Sequence, residues 1–129
     1  HVEVDLGESP DLGPVMAAVA TGIAPAVDLV GAEHLRLKES DRIGDLARAF
    51  AEVGIEVDQR DDGLSIPAGV QRAESGATWR PAGDHRLVMA GFLLTDEQTE
   101  LRFAEPMCVA KSYPDFWQHA RMLGWRVEP

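Results

Sequence analysis

Asp84-His85-Arg86 is the stretch of this sequence whose residue types carry the most chemistry. It lies between Pro81-Ala82-Gly83 and the apolar run Leu87-Val88-Met89-Ala90. Gly83 or Asp84 therefore reads as an N-cap, with His85 and Arg86 in the first helical turn. Aligned peptide dipoles make that turn partially positive, and a cation there costs about 0.3–1 kcal/mol. A solvated turn tolerates that cost. Otherwise something negative should offset it, and a phosphate or carboxylate ligand is a candidate.

The same arrangement recurs. Lys38, Glu39 and Arg42 surround Ser40, which reads as the cap of another helix, and Lys111 precedes Ser112-Tyr113-Pro114-Asp115 at a third helix start. Asp11 follows Ser9-Pro10 at a fourth. Arginine suits bidentate contact with carboxylate or phosphate, whereas lysine acts as a point charge. Each cation taken alone also reads as a solvated surface residue, but three related sites together favour helix starts converging on a multiply charged anion. Asp11 has a structural reading, because carboxylates stabilise a helix start, and a catalytic reading of equal weight. Glu39 is either an ion-pair partner of its neighbours or an acid/base group. Asp41 and Asp115 read as caps. His34, His119 and Cys108 read as structural, as do Trp79, Trp117 and Trp125. Metal-ligand spacings, a Walker loop and a dinucleotide fingerprint are absent from the sequence.

The elements that must position these groups follow from periodicity. Val2 to Leu6 alternates as a strand. A helix follows Ser9-Pro10, with Leu12, Val15, Met16, Val19 and Ile23 as its expected core stripe. Ala26 to Val30 reads as a strand. The helix after Ser40 carries Ile43, Leu46, Ala47, Phe50 and Val53 and stops at Gly54. Ile55 to Val57 and Leu64 to Ile66 read as strands around Asp61-Asp62-Gly63. Gln71 to Gly76 reads as a surface loop. The helix from about Asp84 to Leu94 should turn Met89, Phe92 and Leu93 inward. Thr99 to Phe103 reads as a strand. The last helix has Phe116, Ala120 and Leu123 as its stripe and ends at Gly124, before a strand from Trp125 to Val127.

This order is strand-helix-strand-helix-strand-strand and then most of the same again. Residues repeat as well as elements. Asp11 and Asp84 are each followed five positions later by Met-Ala, and Asp11–Lys38 and Asp84–Lys111 share a separation of 27 positions. The fold class expected is α/β (α+β), a tandem of two βαβαββ units at about 1–68 and 69–129.

Composition bounds the function. The chain has 129 residues, 45% of them apolar, and a formal net charge of −10. That charge argues against nucleic acid as a partner, and without a polybasic run nothing points to an anionic membrane. It also makes a local cationic cluster notable. The single cysteine, Cys108, cannot form a disulfide within the chain and fits a reducing, cytoplasmic compartment. No apolar run reaches transmembrane length and no signal peptide is visible. His1 stands directly before a strand, as if the chain begins inside a fold.

Leu35-Arg-Leu-Lys-Glu-Ser-Asp-Arg42 resembles a signature of the 3-phosphoshikimate 1-carboxyvinyltransferase (5-enolpyruvylshikimate-3-phosphate synthase) family. Ser9-Pro-Asp11, Gly83-Asp-His-Arg86 with Met89-Ala90, and Ala110-Lys-Ser-Tyr-Pro-Asp-Phe116 agree with it in order and spacing. The resemblance covers essentially the whole chain and corresponds to roughly the last third of a family member. It implies part of the enolpyruvyl transferase inside-out α/β barrel, two domains of three βαβαββ units each, with helix N-termini facing an interdomain cleft. It implies transfer of the enolpyruvyl group of phosphoenolpyruvate to the 5-hydroxyl of shikimate 3-phosphate with release of phosphate, without metal or organic cofactor. Under the resemblance, Asp11 is the carboxylate on the substrate hydroxyls and the proposed general base. Lys38 lies beside it, and Glu39 is a proposed proton-transfer acid. Arg42, Arg86 and Lys111 clamp phosphoenolpyruvate, with His85 alongside. His34 stands where some members carry an asparagine, and no role is carried over to it. The family's N-terminal lysine, second phosphoenolpyruvate arginine and Ser-Ser-Gln loop have no counterpart here. The expected partners are therefore the two substrates and the missing remainder of the enzyme, and the chain alone is expected to lack turnover. The alternative is a non-catalytic module of the same repeat fold that holds an anion or a partner. Enolpyruvyl transfer to a nucleotide sugar is a weaker reading, because Lys38-Glu-Ser-Asp-Arg42 points to the shikimate branch.

Overall fold

The computed structural model describes residues 1–38 and 41–129. The first half is a four-stranded mixed sheet in the order β1-β2-β4-β3, built from β1 (Val2–Asp5), β2 (Val27–Val30), β3 (Asp58–Arg60) and β4 (Gly63–Ile66). β1 runs parallel to β2 with Val4 beside Leu29, because helix α1 (Gly13–Thr21) carries the chain back between them. β2 and β4 are antiparallel, and their registers pair Val27 with Ile66 and Leu29 with Leu64. All four side chains are buried, as period-2 alternation demands of one sheet face. Gly63 is required where β4 meets β2: a Cβ there would stand 1.8 Å from the Leu29 carbonyl oxygen.

Helix α2 (Arg42–Glu52) packs on this sheet through Ile43, Leu46, Ala47 and Phe50, followed by Val53, all buried as their spacing predicts. Its cap is Asp41, whose carboxylate accepts from Gly44 N at 3.1 Å. The expected cap, Ser40, lies outside the described residues. Gly54 closes the helix at φ +82°. Ile55 then folds under the helix end, with its N–H donating to the Phe50 carbonyl, so the strand expected over Ile55 to Val57 does not form, and β3 follows it at Asp58–Arg60.

The face of α1 corrects the expected stripe. Leu12, Val19 and Ile23 are 52%, 49% and 39% exposed, while Gly13, Pro14, Ala17, Ala18, Ala20 and Thr21 are buried. A 3-10 turn, Pro10–Leu12, precedes the helix and rotates its start. α1 is apolar nearly all round, so periodicity cannot say which side turns inward. Its small residues let α3 (His85–Phe92) approach closely. α3 departs in the same way: Leu87, Val88, Ala90 and Gly91 are buried, whereas Met89 and Phe92 are half-buried and Leu93 is exposed.

The second half holds a short parallel pair, β5 (Thr78–Trp79) with β6 (Arg102–Phe103), and helix α4 (Phe116–Met122). β5 had no periodic signal, yet it carries Trp79, which is fully buried. The indole meets Phe50 of α2 edge-on at 5.3 Å, and its Nε1 donates to the Leu87 carbonyl of α3 at 2.7 Å. Of the strand expected over Thr99 to Phe103, only its end pairs as β6. Trp125 to Val127 forms no strand. The Trp125 N–H instead donates to the Ala120 carbonyl at the end of α4, and Leu123, expected in the stripe, is exposed. Phe92, Phe103, Phe116 and Trp117 pack edge-on, and Trp125 tilts against Phe92, in an aromatic cluster that seats α4.

Candidate active site

The residues expected at the four helix starts come together, although Lys38 and Lys111 stand at the ends of 3-10 turns and not at helix starts. Asp11 sits in the 3-10 turn before α1, and Lys38 follows a second 3-10 turn, Glu33–Leu37. Arg42 is the first residue of α2, and Asp84, His85 and Arg86 open α3. Lys111 ends a third 3-10 turn, Pro106–Lys111. Arg42 is at the centre of this group. It is only 2% exposed, and its Nη1 donates to Asp11 Oδ1 at 2.9 Å. Its other edge forks onto Asp84, Nε to Oδ2 at 2.6 Å and Nη2 to Oδ1 at 3.3 Å. A buried guanidinium requires such partners, because stripping its water costs several kcal/mol or more when uncompensated.

Asp84 is completely buried, and its Oδ1 also accepts from the Arg86 N–H at 2.9 Å, capping α3. Asp11 is the exposed counterpart, with 43% of its side chain accessible. Lys38 Nζ stands 3.7 Å from its Oδ1 and Arg86 Nη2 stands 3.6 Å from its Oδ2. The cations that open α2 and α3, Arg42 and Arg86, are thus offset by the protein's own carboxylates, and Lys38, at the end of a 3-10 turn, adds to the same cluster. This answers in part what offsets a cationic first turn, and the negative charge supplied here is internal. Burial pushes the Asp11 carboxyl upward, but Arg86, Lys38 and Arg42 outweigh it and hold the group below the ordinary carboxylate value. Asp11 is therefore ionised at neutral pH, with lone pairs directed at three cations.

His85 and Lys111 close the other side. His85 is nearly buried, and its Nδ1 lies 2.6 Å from Ser112 Oγ. Lys111 Nζ donates to the Gly83 carbonyl at 3.0 Å. These contacts clasp the loop before α4 onto the start of α3. Gly83 takes φ +71°, the left-handed conformation that lets the chain turn into the cap.

A family profile described as EPSP synthase (3-phosphoshikimate 1-carboxyvinyltransferase) matches residues 1–120. The chain belongs to the EPSP synthase family. The 3-phosphoshikimate 1-carboxyvinyltransferase of Dehalococcoides mccartyi is 38% identical over 126 residues, covering 98% of this chain and 29% of that protein. The one from Methanocella arvoryzae is 36% identical over 130 residues, covering 98% and 30%. EPSP synthase from Acinetobacter baumannii superposes with a TM-score of 0.75 at 29% identity, over 89% of this chain and 27% of that one. The chain therefore spans just under a third of the length of these EPSP synthases, and its mixed α/β fold is theirs.

Six of the seven residues singled out from sequence, Asp11, Lys38, Arg42, His85, Arg86 and Lys111, lie on this one side of the EPSP synthase fold. The seventh, Glu39, lies outside the described residues. Two partners escaped sequence reasoning as site components. Asp84 was legible as a cap, but its grip on Arg42 joins positions 42 residues apart. Ser112 was expected to start the last helix, but it instead ends the 3-10 turn Pro106–Lys111 while α4 begins at Phe116, and nothing local tied it to His85. Asp41 is the cap expected of it, and also accepts from Arg36 at 3.1 Å. Asp115 occupies the N-cap of α4 without a side-chain capping bond. His119 bonds Tyr113 Oη at 2.8 Å, away from the site. The Cys108 thiol is pushed up by burial and by Glu105, as suits a packed thiol. Among the described residues no three His, Cys, Asp or Glu side chains gather as a metal group would require, and no helix is long and apolar enough to cross a membrane.

Proposed function

We propose that the chain supplies one wall of an EPSP synthase active site, where the enolpyruvyl group of phosphoenolpyruvate passes to the 5-hydroxyl of shikimate 3-phosphate. The observation that carries this reading is a single carboxylate, Asp11, met by Lys38, Arg42 and Arg86 from three different chain segments. Such a centre suits a reaction between two anions. Asp11 takes the proton of the 5-hydroxyl as its oxygen bonds to C2 of phosphoenolpyruvate. C3 accepts a proton, with Glu39 as donor, and the tetrahedral adduct forms. Return of a methyl proton from C3 to the Glu39 carboxylate, with cleavage of the C2–O bond to phosphate, restores the double bond. Arg42, Arg86 and Lys111 stabilise charge moving onto the departing phosphate, and Lys38 and His85 orient the reactants.

The low carboxyl value of Asp11 makes it a weak base while its cations remain paired to it. A substrate phosphate or carboxylate that draws Arg86 and Lys38 away raises that value toward the range where proton abstraction is efficient. Base strength is in this way tied to occupancy of the site.

In this reading residues 1–68 are one βαβαββ unit, residues 69–129 repeat its order as far as βαβα, and the rest of the cleft comes from a remainder of the enzyme. The apolar, exposed outer face of α1 supports such a neighbour. The single thiol is consistent with a cytoplasmic setting, and the negative net charge disfavours nucleic acid.

The test is a chimera in which this chain replaces the matching segment of the Dehalococcoides mccartyi enzyme. The chimera should release phosphate from the two substrates, and the isolated chain should not. A folded chimera without turnover would leave the chain as a non-catalytic module.

A further inference from the structure

Asp11 and Asp84 occupy equivalent places before their helices, but only Asp11 reaches solvent. Between them lies Arg42, whose long side chain has several rotatable bonds and whose use depends on where its planar fork points. Asp84 grips the Nε–Nη2 edge of that fork from a site with no solvent access. Two hydrogen bonds to one carboxylate fix both the position and the plane of a guanidinium. Once that edge is fixed, Nη1 must point toward Asp11 and the exposed cations.

We infer that Asp84 is a positioning residue: it orients the Arg42 guanidinium so that one edge is locked in the protein and the other faces Asp11 and the substrate anion. The inference rests on the reading of the site as that of an EPSP synthase. It adds that the buried aspartate of the repeat pair acts through Arg42 and does not touch the substrate. Asp84 also joins the starts of α2 and α3, because the oxygen that caps α3 belongs to the carboxylate holding α2's first residue.

Asp84→Asn separates the two duties. Its amide oxygen can still accept from the Arg86 N–H, but its NH2 faces a donor at Arg42. In the 129-residue chain, hydrogen exchange at Arg42 Nε should accelerate at least about tenfold while the Arg86 backbone amide stays as protected as before. If Arg42 Nε is unaffected, or both sites loosen together, Asp84 is only a cap and the inference falls. In the chimera, Asp84→Asn should raise KM for phosphoenolpyruvate by about tenfold, and should add nothing to Arg42→Ala. An equal added loss in the Arg42→Ala background would also overturn it. If the parent chimera is inactive, the EPSP synthase reading fails, and the exchange experiment still decides whether Asp84 holds Arg42. Should Asp84→Asn fail to fold, Arg42→Lys keeps the charge without the fork and should raise the same KM. An unchanged KM would refute the inference.

Discussion

Asp11 and Asp84 hold one guanidinium from opposite sides: Arg42 donates Nη1 to Asp11 at 2.9 Å and Nε to Asp84 at 2.6 Å. The two aspartates follow the same sequence pattern, yet one is exposed and ringed by cations while the other is sealed in the core. A repeated slot thus holds an accessible carboxylate in one copy and a buried one in the other.

Asp11→Ala in the chimera should cut phosphate release by about 10²–10⁴-fold, the usual contribution of a general base. The same change removes the internal carboxylate that competes for Lys38 and Arg86. Inorganic phosphate should therefore bind at least as tightly, measured by titration calorimetry. Loss of turnover together with loss of phosphate binding would mean that Asp11 organises the cations and is not their competitor.

Asp11 has its carboxyl depressed below the ordinary 3.8. A depressed carboxyl contributes stability that is complete above the unfolded value and is lost as pH falls through the folded value. The wild-type chain should lose its advantage over Asp11→Asn only on acidification below about pH 4, measured by urea midpoints across pH. An advantage that disappears near neutrality would contradict the ion-pair assignment.

Gly91→Ala should destabilise the chain by about 1–3 kcal/mol in thermal or urea unfolding. An interior helical glycine changed to alanine ordinarily gains about 1 kcal/mol from propensity. Here the new Cβ would stand 2.5 Å from the Trp79 ring, which is itself pinned by its bond to the Leu87 carbonyl. A stabilised variant would show that α3 can shift away from the indole.

Ser112→Ala should remove the hydroxyl that now lies 2.6 Å from His85 Nδ1. Nitrogen NMR of the imidazole should report a changed tautomer balance, and stability should fall by about 0.5–1.5 kcal/mol. An unchanged ring spectrum would mean that other contacts set the tautomer.

Much of the site could be read before any coordinates. Cations at helix starts conflict with the peptide dipole, and a conflict repeated at related positions marks the residues involved. That local argument found Arg42 and Arg86, which open α2 and α3; it also pointed to Lys38 and Lys111, although the structure puts these at the ends of 3-10 turns, where the dipole favours a cation. The core stripe of α2 was equally legible, because its opposite face is polar. α1 was not, because a helix apolar on every side offers no contrast from which to choose a face. β5 was missed because two residues cannot display a period, although one of them, Trp79, joins α2 to α3.

The amino-acid order by itself determined which residues are chemically poised, where the main helices run, and which family the motifs resemble, since dipoles, caps and short-range periods are properties of neighbours along the chain. Only the tertiary structure decided that Arg42 is buried between Asp11 and Asp84, that Ser112 meets His85, and that small residues rather than Leu12 and Val19 line the inside of α1. Those outcomes depend on groups far apart in sequence arriving together, and on how closely two backbones can pack once they do.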